Sequence, residues 1–275
     1  MISEEEPLPD ALRADRRTFV EKNIYDAADW YDVDYAAYRG EFTFYRLLVA
    51  RHARTGVVVE LGAGTGRLTL PLCEDARLHA VEPSASMRGR LLDKRAKAGF
   101  DDARLCVEDG VAAAFVGPDA PVKLVIFAFN GVLHLSSRDE LRRSFEHIRR
   151  KLDDDGSFAL DLTPPYWETM LRGSVPWGRI DERVHPQSGR RFLTCDRSSY
   201  EAATRTTRID IRYAYADNND DDGVQITLRQ HMWTTPEILQ ALHDTGFVVD
   251  SCFGNVDLSP FSEGSPRLLV SATKR

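Results

Sequence analysis

Three glycines alternate with other residues directly after an apolar run, a pattern that does chemistry through the backbone. Val57 to Leu61 is typical of a buried strand, and Gly62, Gly64 and Gly66 follow it before a helical pattern. Glycine is required where φ must be positive, or where a ligand approaches the backbone too closely to tolerate a Cβ. The segment therefore predicts a turn whose backbone contacts a bound ligand.

The spacing of these glycines fits neither of two common phosphate-binding motifs. A dinucleotide fingerprint has its third glycine one position later, where this chain has Arg67, and a P-loop needs a Gly-Lys-Ser or Gly-Lys-Thr sequence that this chain lacks. An NAD-dependent oxidoreductase, which shares the strand, the loop and a following acid, is therefore an alternative and not the first hypothesis. A tight turn without a ligand is the other alternative for the loop alone.

Acidic side chains follow the next two apolar runs. Glu82 closes the second predicted strand, and Asp109 follows the third, next to Gly110. A carboxylate at the end of the second strand can accept hydrogen bonds from both hydroxyls of a ribose. Each acid alone is equally typical of a solvated strand end or a turn, but together with the loop they favour a nucleoside site.

The segment Glu60-x-Gly62-x-Gly64-x-Gly66 resembles the first motif of the class I S-adenosylmethionine-dependent methyltransferases, of the small-molecule type with an inserted β-sheet. The resemblance implies S-adenosyl-L-methionine as cofactor and S-adenosyl-L-homocysteine as its product. It implies that Glu60 orients the loop and the cofactor's amino end, while Glu82 binds the ribose and Asp109 the adenine amino group. The cofactor-binding residues that it implies are Tyr31, Glu60, Gly62, Ala63, Gly64, Gly66, Glu82, Pro83, Met87, Asp109, Gly110, Phe129 and Asn130.

Three further segments carry the resemblance. Pro83 and Met87 fall in the family's acid-x-Ser-x-x-Met pattern and are expected near the adenine, although Met87 is equally suited to the core. Phe127 to Leu135 resembles the family's Phe-Asn-Ser-Leu-Leu-His-Leu segment beside cofactor and substrate, with Gly131 in place of the serine. Tyr25-x-x-Ala28-x-x-Tyr31-Asp32 resembles the helix that usually covers the cofactor in this family.

The candidate catalytic and substrate-binding residues follow from the chemistry of methyl transfer. The reaction is an in-line displacement at a sulfonium carbon, so the protein mainly aligns the acceptor, excludes water and, for some acceptors, removes a proton. His134 is the first candidate for a general base because imidazole titrates near neutrality; a structural histidine is the alternative. Tyr35 is expected to cover the pocket or to pack. Arg229, His231 and Trp233 are expected on one face of the inserted sheet, as further candidate substrate residues.

No metal site is expected. The cysteines at positions 73, 106, 195 and 252 are widely separated, without a Cys-x-x-Cys pair, which is typical of reduced structural thiols. The acidic segment Asp217 to Gly223 fails the spacing of an EF-hand loop, so we expect a solvated turn there.

The elements that must position these residues form an α/β fold. Short apolar runs alternate with helical patterns, which predicts a Rossmann-like seven-stranded mainly parallel sheet flanked by helices, with a small antiparallel β insertion after the fifth strand. One helix is expected through Leu141, Phe145, Ile148 and Leu152, and another with Thr235 as its N-cap. The core strands are expected at Val57 to Leu61, Arg77 to Val81, Ala103 to Val107, Val122 to Phe129, Ser157 to Leu162, from Phe247 to Val249, and at Arg267 to Thr273.

Four segments are expected along the chain: an N-terminal helical cap at residues 1–56, a cofactor-binding α/β core at 57–163, an inserted antiparallel β substrate-covering subdomain at 164–233, and the completion of the core at 234–275. Within the insertion, the alternating residues of Ile209 to Tyr215 are expected to pair with Val224 to Leu228, and Gly189 to Tyr200 to form another strand. Asp153 to Gly156 is expected to be the turn before the fifth core strand.

The composition restricts the partners. The chain has 275 residues, 43% hydrophobic and 29% charged, as ordinary globular proteins do, and its net charge of -7 opposes a nucleic-acid partner. The acidic start lacks the features of a signal peptide, and the longest apolar run is too short for a bilayer. We therefore expect a cytoplasmic protein, without a membrane partner, that methylates an O or N atom of a small molecule. A non-catalytic S-adenosylmethionine-binding protein is the remaining alternative.

Overall fold

The computed structural model describes residues 8–52, 56–165, 170–171, 173–217 and 223–275. The chain divides into two compact units. The larger comprises residues 35–165 and 232–275, and the smaller comprises residues 1–34 and 166–231. The described strands are β1 (Phe19–Asn23), β2 (Val57–Leu61), β3 (Arg77–Val81), β4 (Leu105–Glu108), β5 (Val122–Phe127), β6 (Leu152–Leu162), β7 (Ser174–Val184), β8 (Arg191–Glu201), β9 (Thr206–Tyr215), β10 (Gly223–His231), β11 (Phe247–Phe253) and β12 (Leu268–Lys274).

The described α-helices are α1 (Ala28–Tyr35), α2 (Phe42–His52), α3 (Thr69–Leu72), α4 (Ala85–Ala98), α5 (Arg138–Lys151) and α6 (Thr235–Asp244). The predicted helix through Leu141, Phe145 and Ile148 is confirmed as α5, and these three side chains are buried. Its N-cap is Ser137, whose hydroxyl accepts the Glu140 N–H at 3.2 Å. An apolar stripe and a cap together explain why this charged segment folds as a helix against the sheet.

The larger unit contains a seven-stranded sheet with the order β11-β12-β6-β5-β2-β3-β4. Strands β2 to β6 are parallel to one another, and β12 runs antiparallel to β6 and to β11. All five residues of β2 are buried, as expected for a central strand covered on both faces. The predicted mainly parallel sheet flanked by helices is confirmed, and it brings the carboxyl ends of β2 to β6 to one edge.

The smaller unit contains a five-stranded sheet with the order β1-β10-β9-β8-β7. The predicted pairing of residues 209–215 with 224–228 is confirmed, since Ile211 lies opposite Ile226 and β9 and β10 are antiparallel. The unit has an aromatic core of its own, in which the Trp30 ring stacks on Tyr213 at 4.6 Å between centroids and meets Phe192 edge-on at 5.4 Å. This sheet is therefore an independently packed layer.

Two strands of this sheet were not predicted. Residues 1–56 were expected to be helical, but β1 lies among them and pairs in parallel with β10, Glu21 lying opposite Gln225. The sequence did not predict strand β7, because Pro176 and Gly178 interrupt its alternating pattern. The backbone of the strand is irregular at Arg179, which has a φ of 46°. Its register with β8 shifts on both sides of Gly178, as is usual for bulges in an edge strand.

Several predicted boundaries were wrong for local reasons. Residues 153–156 are not a turn before the strand but part of β6, where Leu152 lies opposite Val122 and Ser157 opposite Leu124. Lys123 holds this irregular segment through Asp153, at 2.6 Å, and Asp155.

Two further boundaries move by one or two residues. Strand β4 starts at Leu105 and not at Ala103, because the Asp101 carboxylate accepts the Arg104 N–H at 2.9 Å and prolongs the preceding turn. The N-cap of α6 is Thr234 and not Thr235, and the Glu237 carboxylate accepts the Thr234 N–H at 3.1 Å, which is half of a capping box.

The predicted solvated turn Asp217 to Gly223 is not tested, because residues 218–222 lie outside the described part of the chain. Among the described residues, no helix is both long enough and apolar enough to span a bilayer.

Trp233 lies in the larger unit and not on the smaller sheet, because β10 ends at His231. Its side chain is buried in the main core, and its indole N–H donates to the Leu135 carbonyl at 2.8 Å. This bond ties the segment before α6 to the segment after β5.

Replacing Trp233→Phe removes the indole donor and leaves both a small void and an unpaired buried carbonyl. We expect the free energy of unfolding to fall by about 1–3 kcal/mol, measured by urea denaturation. Val116→Ala, at an exposed side chain of the same unit, is the control and should change it by less than about 0.5 kcal/mol. Equal stabilities of the Trp233 variant and the wild type would contradict a structural role for this bond.

Candidate functional site

The glycine-rich turn at the end of β2 has the backbone that its sequence predicts. Gly62, Gly64 and Gly66 have φ values of 66°, 58° and 85°, which non-glycine residues rarely adopt. A Cβ on Gly66 would lie 2.4 Å from Leu91 Cδ1, so this glycine also permits close packing against α4. The N–H of Gly62 donates to the Val81 carbonyl at 2.8 Å. The turn is thereby tied to the end of β3.

Glu82, at the end of β3, holds the turn through its side chain. One carboxylate oxygen accepts the Gly64 N–H and the other accepts the Ser84 N–H, each at 2.8 Å. The side chain is buried, and burial raises its pKa although both backbone amides oppose the shift. Each carboxylate oxygen can accept a second hydrogen bond. The predicted ribose-binding acid is thus oriented at the loop with capacity for two further donors.

Glu60 is a buried acid with an open hydrogen-bonding position. It lies in β2 beside the turn, and its Oε2 has no hydrogen-bond partner among the described residues. Burial raises the pKa of Glu60 to about 7. A buried carboxylate is stabilised by a cationic donor, so this position suits an ammonium group.

The residues expected around an adenine differ in exposure. Met87 is fully buried in the first turn of α4, and its N–H donates to the Ser84 hydroxyl at 3.2 Å, while Pro83 is exposed. Asp109 is exposed, and Arg88 donates to both of its carboxylate oxygens at 3.0 and 2.8 Å. Contact of Asp109 with an adenine stays a prediction, and in this structure its carboxylate serves an ion pair.

The neighbouring acid Glu108 was not predicted as a loop-holding residue. Its carboxylate accepts the N–H groups of Val116 and Gly117 at 2.6 and 2.9 Å, and it contacts His79 Nε2 at 2.6 Å. Burial alone would raise its pKa, but these amides and His79 hold it below its usual value. A Cβ on Gly110 would lie 2.9 Å from Glu108 Oε1. Glu108 therefore fixes the loop after β4.

The segment after β5 adopts a backbone that its sequence did not reveal. Phe129 and Asn130 have φ values of 52° and 64°, which is the left-handed region and is strained for non-glycine residues. The Phe129 N–H donates to Asp161 Oδ1 at 2.7 Å, and Asn130 Oδ1 accepts the Thr163 N–H at 2.7 Å. The Tyr35 ring meets the Phe129 ring edge-on at 5.3 Å. Side-chain contacts from neighbouring elements thus hold the turn.

Arg67, which occupies the position of the third glycine in a dinucleotide-binding motif, was not predicted to have a role in the site. Its guanidinium lies 4.4 Å from the centroid of the Phe129 ring and 5.4 Å from that of the Tyr38 ring. It forms a buried ion pair with Glu41, the residue before α2. Burial raises the pKa of Glu41, and Arg67 opposes that shift. The only sequence feature that could have indicated these contacts is the position of an arginine directly after the glycine-rich turn.

The remaining candidates divide between the two units. His134 is exposed at the end of a short 3₁₀ helix (Gly131–His134) that follows Asn130 in the larger unit. Tyr31 lies on α1, and Arg229 and His231 lie on β10, all within the smaller unit. Arg229 and His231 share one face of β10 because their positions differ by two. The larger unit thus contains the acids, the glycine turn and His134.

A family profile described as "Methyltransferase domain" matches residues 58–156 of the chain. These residues include the glycine turn, Glu82, Asp109 and the turn after β5. No curated protein sequence matches the chain.

Solved structures share its fold. The CcbJ methyltransferase from Streptomyces caelestis is 19% identical with a TM-score of 0.72, and the match covers 92% of this chain and 98% of that one. The sugar N-methyltransferase KedS8 from a Streptoalloteichus species is 18% identical with a TM-score of 0.68, covering 90% and 92% of the two chains. The amino pentose methyltransferase CalS10 from Micromonospora echinaspora, solved with S-adenosylmethionine, is 18% identical with a TM-score of 0.63, covering 93% and 98%.

Replacing Glu82→Ala should weaken binding of S-adenosylhomocysteine at least about tenfold. The change removes the acceptor for the Gly64 N–H and for the expected ribose hydroxyls, and each hydrogen bond to a charged group contributes about 1.5–3 kcal/mol. Calorimetric titration measures the dissociation constant. Asp93→Ala removes an exposed acid on α4 and is the charge-matched control. Wild-type affinity in the Glu82 variant would contradict the assignment of the site.

Replacing Glu60→Gln should remove a pH dependence of stability. A glutamate in the unfolded chain titrates near about pH 4.3, and in the folded ligand-free protein the pKa is about 7. Between these values the folded state holds a proton that the unfolded state has lost, so Glu60 destabilises the fold progressively as pH rises, by at most about 4 kcal/mol. The variant should lose this contribution in urea unfolding from about pH 5 to about pH 8. Glu263→Gln, at an exposed position, should not, and parallel profiles for wild type and Glu60→Gln would contradict the effect.

Proposed function

We propose that this chain, whose residues 58–156 match a methyltransferase-domain profile, is a class I S-adenosylmethionine-dependent methyltransferase, and that its acceptor is the amine nitrogen of a small molecule, with an amino sugar as the leading class. A hydroxyl oxygen of such a molecule is the second candidate. The observation that carries the proposal is a similarity to small-molecule methyltransferases that extends over both compact units.

The extent of the similarity supports a small acceptor. The matches cover at least nine-tenths of this chain, so they include the five-stranded sheet as well as the methyltransferase domain. One of the similar structures is described as a sugar N-methyltransferase, and another as an amino pentose methyltransferase. A third similar structure is titled a glycopeptide N-methyltransferase. Two of these three proteins are described as N-methyltransferases, and all three descriptions name a sugar or a glycopeptide.

The residues at the carboxyl edge of the larger sheet fit the cofactor. Glu60 offers a buried carboxylate oxygen without a partner among the described residues, which suits the ammonium of the methionine moiety. Glu82 has lone pairs left for the two ribose hydroxyls, and Gly62, Gly64 and Gly66 have no side chain that could block a ligand from the backbone of the turn. When bound, the cofactor supplies an electrophilic methyl group on a sulfonium.

The protein's own part in the reaction is to position the acceptor and to accept a proton. An amine that arrives as an ammonium ion must lose a proton before its lone pair can attack, and a nearby base lowers that barrier. His134 follows the Phe129–Asn130 turn directly in the chain and is exposed. We propose it as the general base, with Tyr35 beside Phe129 as an acceptor-contacting residue. Tyr31, Arg229, His231 and Trp233 remain weaker proposals for ligand contact.

Two measurements on the wild type test the proposal. Calorimetry with S-adenosylhomocysteine, S-adenosylmethionine and NAD should show saturable binding of the two adenosyl sulfur compounds and none of NAD. Mass spectrometry should then detect one added methyl group on members of an amino-sugar panel, each paired with the hydroxy sugar that has oxygen in place of nitrogen. Methylation of the hydroxy sugars alone would overturn the nitrogen assignment. Cofactor binding with no methylation of either set would overturn the acceptor class.

Replacing His134→Ala should lower kcat by about 10²–10⁴-fold while leaving the dissociation constant of S-adenosylhomocysteine unchanged, as expected for loss of a general base. His52→Ala, on α2, is the histidine control. An unchanged kcat in His134→Ala would assign this histidine a structural role only.

A further inference from the structure

The buried carboxylate of Asp161 lies where three elements meet. It is fully buried at the end of β6, and its Oδ1 accepts both the Phe129 N–H and the Tyr45 hydroxyl at 2.7 Å. Its Oδ2 forms an ion pair with Arg267, which also donates to the Thr163 hydroxyl at 3.2 Å. A buried carboxylate is stable only with such partners, and here one of them is the backbone of the turn.

The phenol of Tyr45 keeps the proton that it donates to Asp161. Burial raises the pKa of Tyr45 well above its usual value, and the nearby Asp161 raises it further, so the phenol stays protonated and donates. The Asp161 carbonyl also accepts the Asn130 N–H at 3.2 Å. Both left-handed residues of the turn therefore bond to one residue of β6.

Phe129 passes this constraint on to the glycine-rich loop. The Asp161 carboxylate fixes its backbone, and the Arg67 guanidinium lies 4.4 Å from the centroid of its ring. Arg67 follows Gly66 directly and pairs with Glu41. One buried acid is thus connected, through a single aromatic residue, to the loop that is expected to bind the cofactor.

We propose that Asp161 is a positioning residue for methyl transfer, which selects the left-handed Phe129–Asn130 turn and through it aligns the glycine-rich loop with the acceptor side of the site. The inference rests on the proposed function for its catalytic consequence. Left-handed φ values at two successive non-glycine residues are strained, and a hydrogen bond from the Phe129 amide to a charged acceptor offsets part of that strain. Without the carboxylate, the turn is expected to relax.

Two variants and two readouts test this inference. Asp161→Asn keeps the size of the side chain but places an N–H₂ donor against Arg267 or the Phe129 amide. Tyr45→Phe removes one hydroxyl only and is the milder variant if Asp161→Asn folds poorly. We expect faster deuterium uptake in peptides spanning residues 127–134 for both, and kcat/KM lower by about 100-fold for Asp161→Asn, the size of effect that a misplacement of about 1 Å produces. Tyr45→Phe should lower it by about tenfold, consistent with about 1.5 kcal/mol.

Leu242→Ala, in the buried face of α6, is the control for lost stability. It should lower the melting temperature but leave the deuterium uptake of residues 127–134 and the kinetic constants unchanged. Wild-type uptake in both Asp161→Asn and Tyr45→Phe would overturn the inference, and so would faster uptake with wild-type kcat/KM and cofactor affinity. If the wild type transfers no methyl group, the proposed function fails, while deuterium uptake and cofactor affinity still decide whether Asp161 positions the loops.

Discussion

Carboxylates at the ends of strands accept backbone N–H groups and so hold three loops at the carboxyl edge of the larger sheet. Where parallel strands end, the ladder of hydrogen bonds ends as well, and the following amides need other acceptors. The carboxylate of Glu82 accepts the Gly64 N–H, that of Glu108 accepts the Gly117 N–H, and that of Asp161 accepts the Phe129 N–H. Each acid stands at or next to the end of its strand, so the same sheet that forms the core also supplies the acceptors for its loops.

This arrangement favours a site that is shaped before a ligand arrives. A charged acceptor makes a stronger hydrogen bond than a neutral one, and burial prevents water from competing for it. Glu60 is the exception among these acids, because its Oε2 has no hydrogen-bond partner among the described residues. The acids that hold loops therefore differ from Glu60 in their hydrogen bonds, although all are carboxylates in or at the ends of strands of one sheet. Methyl transfer requires alignment more than it requires a reactive side chain, and a preformed edge meets that requirement.

Local patterns in the sequence were sufficient for the sheet and for the glycine turn, because apolar periodicity and glycine spacing are properties of neighbouring residues. Partners that are distant in the chain were beyond such patterns. Asp161 meets Tyr45 across 116 positions and Arg267 across 106, and in the sequence it is only an acid between two leucines. Strand β1 is short and largely exposed, and its pairing with β10 gave no local signal. Trp233 was misplaced because alternation cannot show that a strand ends at His231.

The smaller unit has interactions that hold it together by itself. Asp34 forms an ion pair with Arg183 at 2.6 Å and accepts a hydrogen bond from the buried Tyr213 hydroxyl, while Trp30 packs on Tyr213. Residues 1–34 and 166–231 are distant in sequence, and these contacts, with the pairing of β1 and β10, join them into one layer. The glycine turn and the acids after the next strands lie within residues 58–156, which the methyltransferase profile matches, and residues 166–231 carry no such motif, so the motifs bear on the cofactor and not on the molecule that is methylated.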